Sequence, residues 1–233
     1  MSSDNMSTPG APAAVAAAAE GAARERLALF FLSMPPLPQQ NPAQRHLYLA
    51  ALRELLALEN AAILQAAGRA RPLRRGDLAG LLRALLTACA AAESRTANQA
   101  LPHLHIRTAP DFPTHETAVF EPRLVQAAAV GLLRAAAAVN PGGPLAVSLS
   151  RGLDSLILTI TGEYPPHEKE ALAVARETAR LHEGSLAVCE GTVGLSLSTL
   201  LGGEAGHYTA PTAADLLRDG LSSVQVGFYS SLE

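Results

Sequence analysis

The chain has 233 residues, 48% of them apolar and only 4% aromatic, with no tryptophan, so a folded core must be built from Leu, Val, Ile and Ala. Its formal net charge of −3 gives no electrostatic case for nucleic acid or an anionic membrane as partner. The two cysteines, Cys89 and Cys189, form no C-x-x-C pair and read as two buried thiols in a reducing compartment.

Residues 1–12 are polar and carry Pro and Gly, the composition of a disordered tail. Residues 13–32 are Ala-rich and predict a helix whose apolar side chains gather at Leu27, Leu29, Phe30, Phe31 and Leu32. It has to stop at Met34-Pro35-Pro36-Leu37-Pro38, because proline lacks the amide N–H and clashes with the preceding turn. Asn41-Pro42 starts a second helix, with Asn as N-cap and Pro in the first turn. Leu49, Leu52, Leu56 and Ile63 then recur at helical spacing, widened by Tyr48 and Leu55, as far as a C-terminal cap at Gly68. Glu59-Asn60 interrupts the apolar face; an exposed helical turn is expected there rather than a polar pair fixing register in a bundle. The two helices make an αα-hairpin over residues 13–70, a unit that often dimerises into a four-helix bundle.

Arg69, Arg71, Arg74 and Arg75 flank Pro72 without a glycine loop and read as a solvated linker, not a phosphate site. Asp77 is the expected N-cap of a helix with Leu78, Leu81, Leu82, Leu85 and Cys89 on one face. Leu101–Arg107 alternates, with His103, His105 and Arg107 on one side and Leu104 and Ile106 on the other. His-x-His on a strand can hold a metal, and His115 offers a third nitrogen. No Cys or carboxylate pair completes a set, so two exposed histidines on an edge strand are expected. Leu124–Val139 is nearly all Ala and Leu and predicts a buried helix closed by Asn140-Pro141-Gly142-Gly143. It comes closest to a membrane span but is too short and carries Gln126 and Arg134, and no basic n-region marks a secretion signal, so a cytoplasmic protein with no membrane span is expected.

Leu145, Val147 and Leu149 alternate as a strand, Arg151–Asp154 turns, and Leu156, Leu158 and Ile160 return. Ala171, Val174, Ala175, Thr178 and Leu181 mark a helix ended by Gly184. A second hairpin follows, with Leu186 and Val188, a turn at Glu190-Gly191-Thr192, then Val193, Leu195 and Leu197. One apolar face per strand gives an α+β class: a mixed sheet covered by helices on one face and preceded by the helical hairpin. Residues 202–233 are expected to pack on this domain as a tail. Asp215–Leu221 would form a helix capped by Thr212, and Val224, Val226 and Phe228 an edge strand.

The order of elements and several motif residues resemble the ATP-binding domain of sensor histidine kinases. Members carry a helix ending N-L-L-x-N-A-x-K-Y-x-x-G-G; here Gly131-Leu132-Leu133-Arg134-Ala135-Ala136-Ala137-Ala138-Val139-Asn140-Pro141-Gly142-Gly143 stands in its place. Leu172, Arg176, His182, Gly184, Leu186, Gly191 and Thr192 fall where the later G-L-G-L-x-x-x-R-x-x-x-x-H-x-G-x-L and G-T pattern expects them. The resemblance runs from about Pro72 to Leu201, within a domain of residues 71–201, with the hairpin as a remnant dimerisation unit.

The functional positions of that family depart from its pattern. Its metal-holding Asn residues fall on Ala135 and Gly131, which offer no side-chain oxygen to Mg²⁺. The adenine-reading Asp falls near Thr161 or Gly162, with Glu163 the nearby carboxylate, and the phosphate-side glycines fall on Lys169 and Ala171. Only a few residues around Pro165-Pro166 stand in for the lid, and no H-E-L-R-T-P phosphoacceptor precedes His46. The resemblance therefore implies a degenerate, non-catalytic signalling protein without bound cofactor, dimeric through the hairpin and docking a response regulator or another kinase. An active kinase binding ATP and Mg²⁺ with Glu163, Lys169 and His46 as substitutes is the first alternative. A small-molecule sensor reusing a pocket lined by Ala135, Ala138, Ala171 and Leu172 is the second.

Overall fold

The computed structural model describes residues 21–34, apart from 24, 28 and 32, and residues 40–96 and 103–229. The expected tail at 1–12 and the proline run at 35–38 lie outside the described residues. Positions 21–23, 25–27 and 29–31 are helical, and Phe31 stands edge-on to Tyr48 with ring centroids 5.1 Å apart, so this segment packs on the next helix as a hairpin would. That helix, α1 (Pro42–Gln65), opens with a capping box. Asn41 Oδ1 accepts from the Gln44 amide, and Gln44 Oε1 accepts from the Asn41 amide. Gly68, at φ +77°, turns the chain out of it.

Contrary to the linker expected there, Arg74 and Arg75 lie in a strand, β1 (Arg74–Asp77). It pairs antiparallel with β3 (Thr117–Phe120) and parallel with the two-residue β8 (Gly206–His207). These strands have four residues or fewer, too short to display a period of two. Gly76 is needed within β1, because a Cβ there would stand 2.5 Å from the Tyr208 carbonyl oxygen. Asp77 ends the strand and caps α2 (Leu78–Thr96), accepting from the Gly80 amide at 2.9 Å.

The main sheet has five strands in the order β2 (His103–Thr108), β4 (Pro144–Arg151), β5 (Ser155–Thr161), β7 (Thr192–Ser198), β6 (Ser185–Cys189). Only the β2–β4 pair is parallel. Register places Val147 opposite Ile160 and Leu158 opposite Leu195, so the apolar residues of β4, β5 and β7 form continuous buried rows. Helices α2, α3 (Pro122–Val139) and α4 (Lys169–Leu181) cover that face, giving the expected α+β class. His103 and His105 stand exposed on edge strand β2, with Leu104 and Ile106 turned inward.

Four further expectations need correction. Helix α3 begins at Pro122, so its 18 residues with mean hydropathy 1.2 are long and apolar enough to cross a membrane by length and composition. Yet 67% of it is buried inside the fold, as a core helix would be. Cys89 is buried, with its thiol pushed up to about 12, but Cys189 is exposed, because β6 is the outer strand of the sheet. Asn60 is only 6% exposed, not part of an exposed turn, because α1 packs on the domain with that side inward. Thr212 caps a helix as expected, α5 (Ala213–Arg218), but Val224–Val226 lie in a second helix, α6 (Ser223–Tyr229), not in an edge strand. Val224, Gln225 and Val226 are all buried between neighbouring helices, which period two cannot satisfy.

Candidate functional site

Two of the singled-out positions meet. Gly131 on α3 faces Ala171 on α4, where a Cβ added to Gly131 would lie 3.7 Å from the Ala171 Cβ. Ala135 and Ala171 are 1% and 2% exposed, so small residues let the two helices pack directly. Ala138 is exposed instead, so the four residues of the sensor alternative, Ala135, Ala138, Ala171 and Leu172, are shared between a packed seam and the surface. Beside the seam, Arg134 of α3 pairs with Glu168 at the start of α4. Lys169 and Glu163 are exposed, as is His46 in the first turns of α1.

The short connection after β5 is pinned to the end of α3. Asn140 donates through Nδ2 to the carbonyl oxygens of Ala136 and Tyr164, and its Oδ1 accepts from the Tyr164 amide at 2.9 Å. Gly162 lets the chain pass this clip, since a Cβ there would stand 2.7 Å from both Asn140 Nδ2 and a Leu145 methyl. Its amide donates to the Gly191 carbonyl at 2.8 Å, and Gly191 takes φ +69° in the facing turn.

His182 and Gly184 join the end of α4 to the rest of the fold. His182 is fully buried; Nδ1 donates to the Thr178 carbonyl at 2.7 Å and Nε2 accepts from the Glu121 amide at 3.0 Å. Burial lowers its pKa below the ordinary histidine range, so it is neutral and structural. At Gly184 a Cβ would come within 1.9 Å of the Ser196 carbonyl oxygen, so only glycine fits; the left-handed residue is its neighbour Glu183, at φ 49°. Glu177, nearly buried on α4, accepts from the Arg180 guanidinium and from the Gly68 amide at 3.0 Å. Hydrogen bonds from Arg180 hold its carboxyl below the usual range despite burial, with help from Gly68 and the nearby Arg71. Arg71 in turn donates to the Ile63 carbonyl at 2.6 Å. Together these bonds fasten the end of α1 to α4.

A cleft of about 1000 Å³ opens between α1, the start of α3 and helices α5 and α6, and reaches Gly131 of the seam. Leu56 and Ile63 of α1, Val130 of α3 and Val226 of α6 supply apolar lining. Arg71, Arg74, Arg123 and Tyr208 supply polar groups. Sequence reading missed it, because segments remote from one another in the chain each contribute a few residues and none carries a motif. The arginines around Pro72 were the available signal.

No family model and no curated protein matches the sequence. Among solved structures, the chain is similar to the Acinetobacter baumannii histidine kinase AdeS, at 15% identity and a TM-score of 0.51, over 78% of this chain and 95% of that one. It is also similar to the catalytic domain of the histidine kinase ThkA, at 9% identity and a TM-score of 0.44, over 55% of this chain and 99% of that one. At these identities the likeness is one of fold, and the chain has a histidine-kinase-like α+β fold.

Proposed function

We propose that this chain is a cytoplasmic, histidine-kinase-like signalling protein that works through protein–protein contacts and transfers no phosphate. The observation that supports this reading is the seam at Gly131 and Ala171, where two helices pack on each other at positions that the resemblance assigns to nucleotide and metal. Phosphoryl transfer needs positioning and charge neutralisation, and Ala135 and Gly131 bring no oxygen to a magnesium ion. The candidate substitutes Glu163, Lys169 and His46 are all exposed, outside that seam. The partners that fit are a second copy through the helical hairpin, and a response regulator or kinase. The inner stripe of α1 is taken up by the domain, so self-association uses exposed side chains of the hairpin, Leu29 before α1 and Leu47 within it, which are 61% and 56% exposed.

Two measurements test this. Calorimetry with Mg-ATP at millimolar concentration is expected to give no magnesium-dependent binding, and incubation with γ-labelled ATP no incorporated label; incorporated label would falsify the non-catalytic reading, and magnesium-dependent binding would overturn the reading of the seam as closed to nucleotide. Light scattering is expected to return twice the 24.2 kDa chain mass, and a monomer at high concentration removes the dimer.

A further inference from the structure

We infer that the cleft between α1, the start of α3 and helices α5 and α6 binds a small amphiphilic anion, a carboxylate or phosphate head on an apolar body. The volume, about 1000 Å³, is at the upper end of ligand pockets. The lining carries four carboxylates and three arginines, so what favours an anion is not net charge but which of these groups are already engaged. Each carboxylate on the cleft already serves a local bond. Glu121 accepts from the Leu124 amide, Asp215 from the Thr212 amide and hydroxyl, and Asp219 from the Leu221 amide, while Glu59 is engaged as well. The guanidinium groups of Arg74 and Arg123, by contrast, make no hydrogen bond or ion pair among the described residues. Arg71 has a buried Nε with no partner. Tyr208 Oη accepts from Gln126 Nε2 at 3.1 Å, which leaves the phenol proton to donate to a ligand. Guanidinium groups and a phenol proton without acceptors fit a planar or tetrahedral anionic head. Leu56, Ile63, Val130 and Val226 offer the apolar body a surface to displace water from.

This inference does not rest on the non-catalytic reading: the cleft reaches Gly131, but the groups argued to hold the anion, Arg71, Arg74, Arg123 and Tyr208, are not those of the Gly131–Ala171 seam. Calorimetry with naphthyl phosphate, naphthoate, uncharged naphthol and inorganic phosphate tests it on the full chain. At least one naphthyl anion is expected to bind about tenfold more tightly than both naphthol and phosphate. Which of the two binds identifies the head group. Arg74→Gln and Arg123→Gln, both at exposed side chains, should each weaken that binding several-fold, while Arg176→Gln on α4 leaves it unchanged. Thermal melting confirms that each variant is folded. Binding of neither anion, equal binding of naphthol or of phosphate alone, or binding that survives the double variant R74Q/R123Q overturns the proposal. Magnesium-dependent ATP binding that survives R74Q/R123Q counts against the non-catalytic reading and leaves the cleft untouched.

Discussion

His182 uses both ring nitrogens, one donating and one accepting, an arrangement that only the neutral tautomer satisfies. Burial lowers its pKa in the folded state from the ordinary 6.5. Between the two values the unfolded chain binds more protons, so the contribution is complete above about pH 6.5 and is lost as the pH falls toward the folded value. His182→Gln is expected to cost about 1–3 kcal/mol at neutral pH and to flatten that acid limb, as urea unfolding over a pH series will show. An equally steep limb in the variant would assign it to another group. The sequence located His182 through its H-x-G spacing, but its partner Glu121 belongs to another element, so the ring's role was out of reach. Cys189 was misread for a related reason: its strand alternates like the buried ones, and only the strand order puts it at the sheet edge.

Asn140 shows how one side chain sets an element boundary. It ends α3 and at the same time fixes the connection that follows β5, with three hydrogen bonds from one amide group. Asn140→Ala should cost about 1–3 kcal/mol and free the amides of Gly162, Glu163, Tyr164 and His167. Hydrogen exchange there is expected to accelerate while β5 stays protected; unchanged exchange would mean that packing alone holds the connection. The main helices and the two hairpins were legible because each carries a run long enough to display its period. β1, β3 and β8 are too short for that, and α6 is buried around its circumference, so its alternating Val224 and Val226 imitated a strand.

Across the whole molecule, α1 is part of the domain. Leu52 is fully buried, and Ile63 clusters with Leu124 of α3 and Val174 of α4. The Glu177 carboxylate locks this docking by accepting from Gly68 beyond the end of the helix. Glu177→Ala should lower stability by about 1–3 kcal/mol and raise hydrogen exchange at residues 66–71 more than in the sheet. A uniform rise would show that α1 and the domain open as one unit. Residue pattern marked α1 and the elements of the α+β domain one by one; their packing on each other, and the cleft this creates, depend on contacts between segments that no local pattern encodes. The docking of α1 against α6 also bears on synthesis. The ribosome releases α1 early and α6 only after the entire sheet has been translated. Throughout that interval the face of α1 that docks on α6 lacks its final covering. Any factor that shields nascent apolar helices will therefore meet α1 well before α6, and the docking of the two closes only when residues 213–229 leave the exit tunnel.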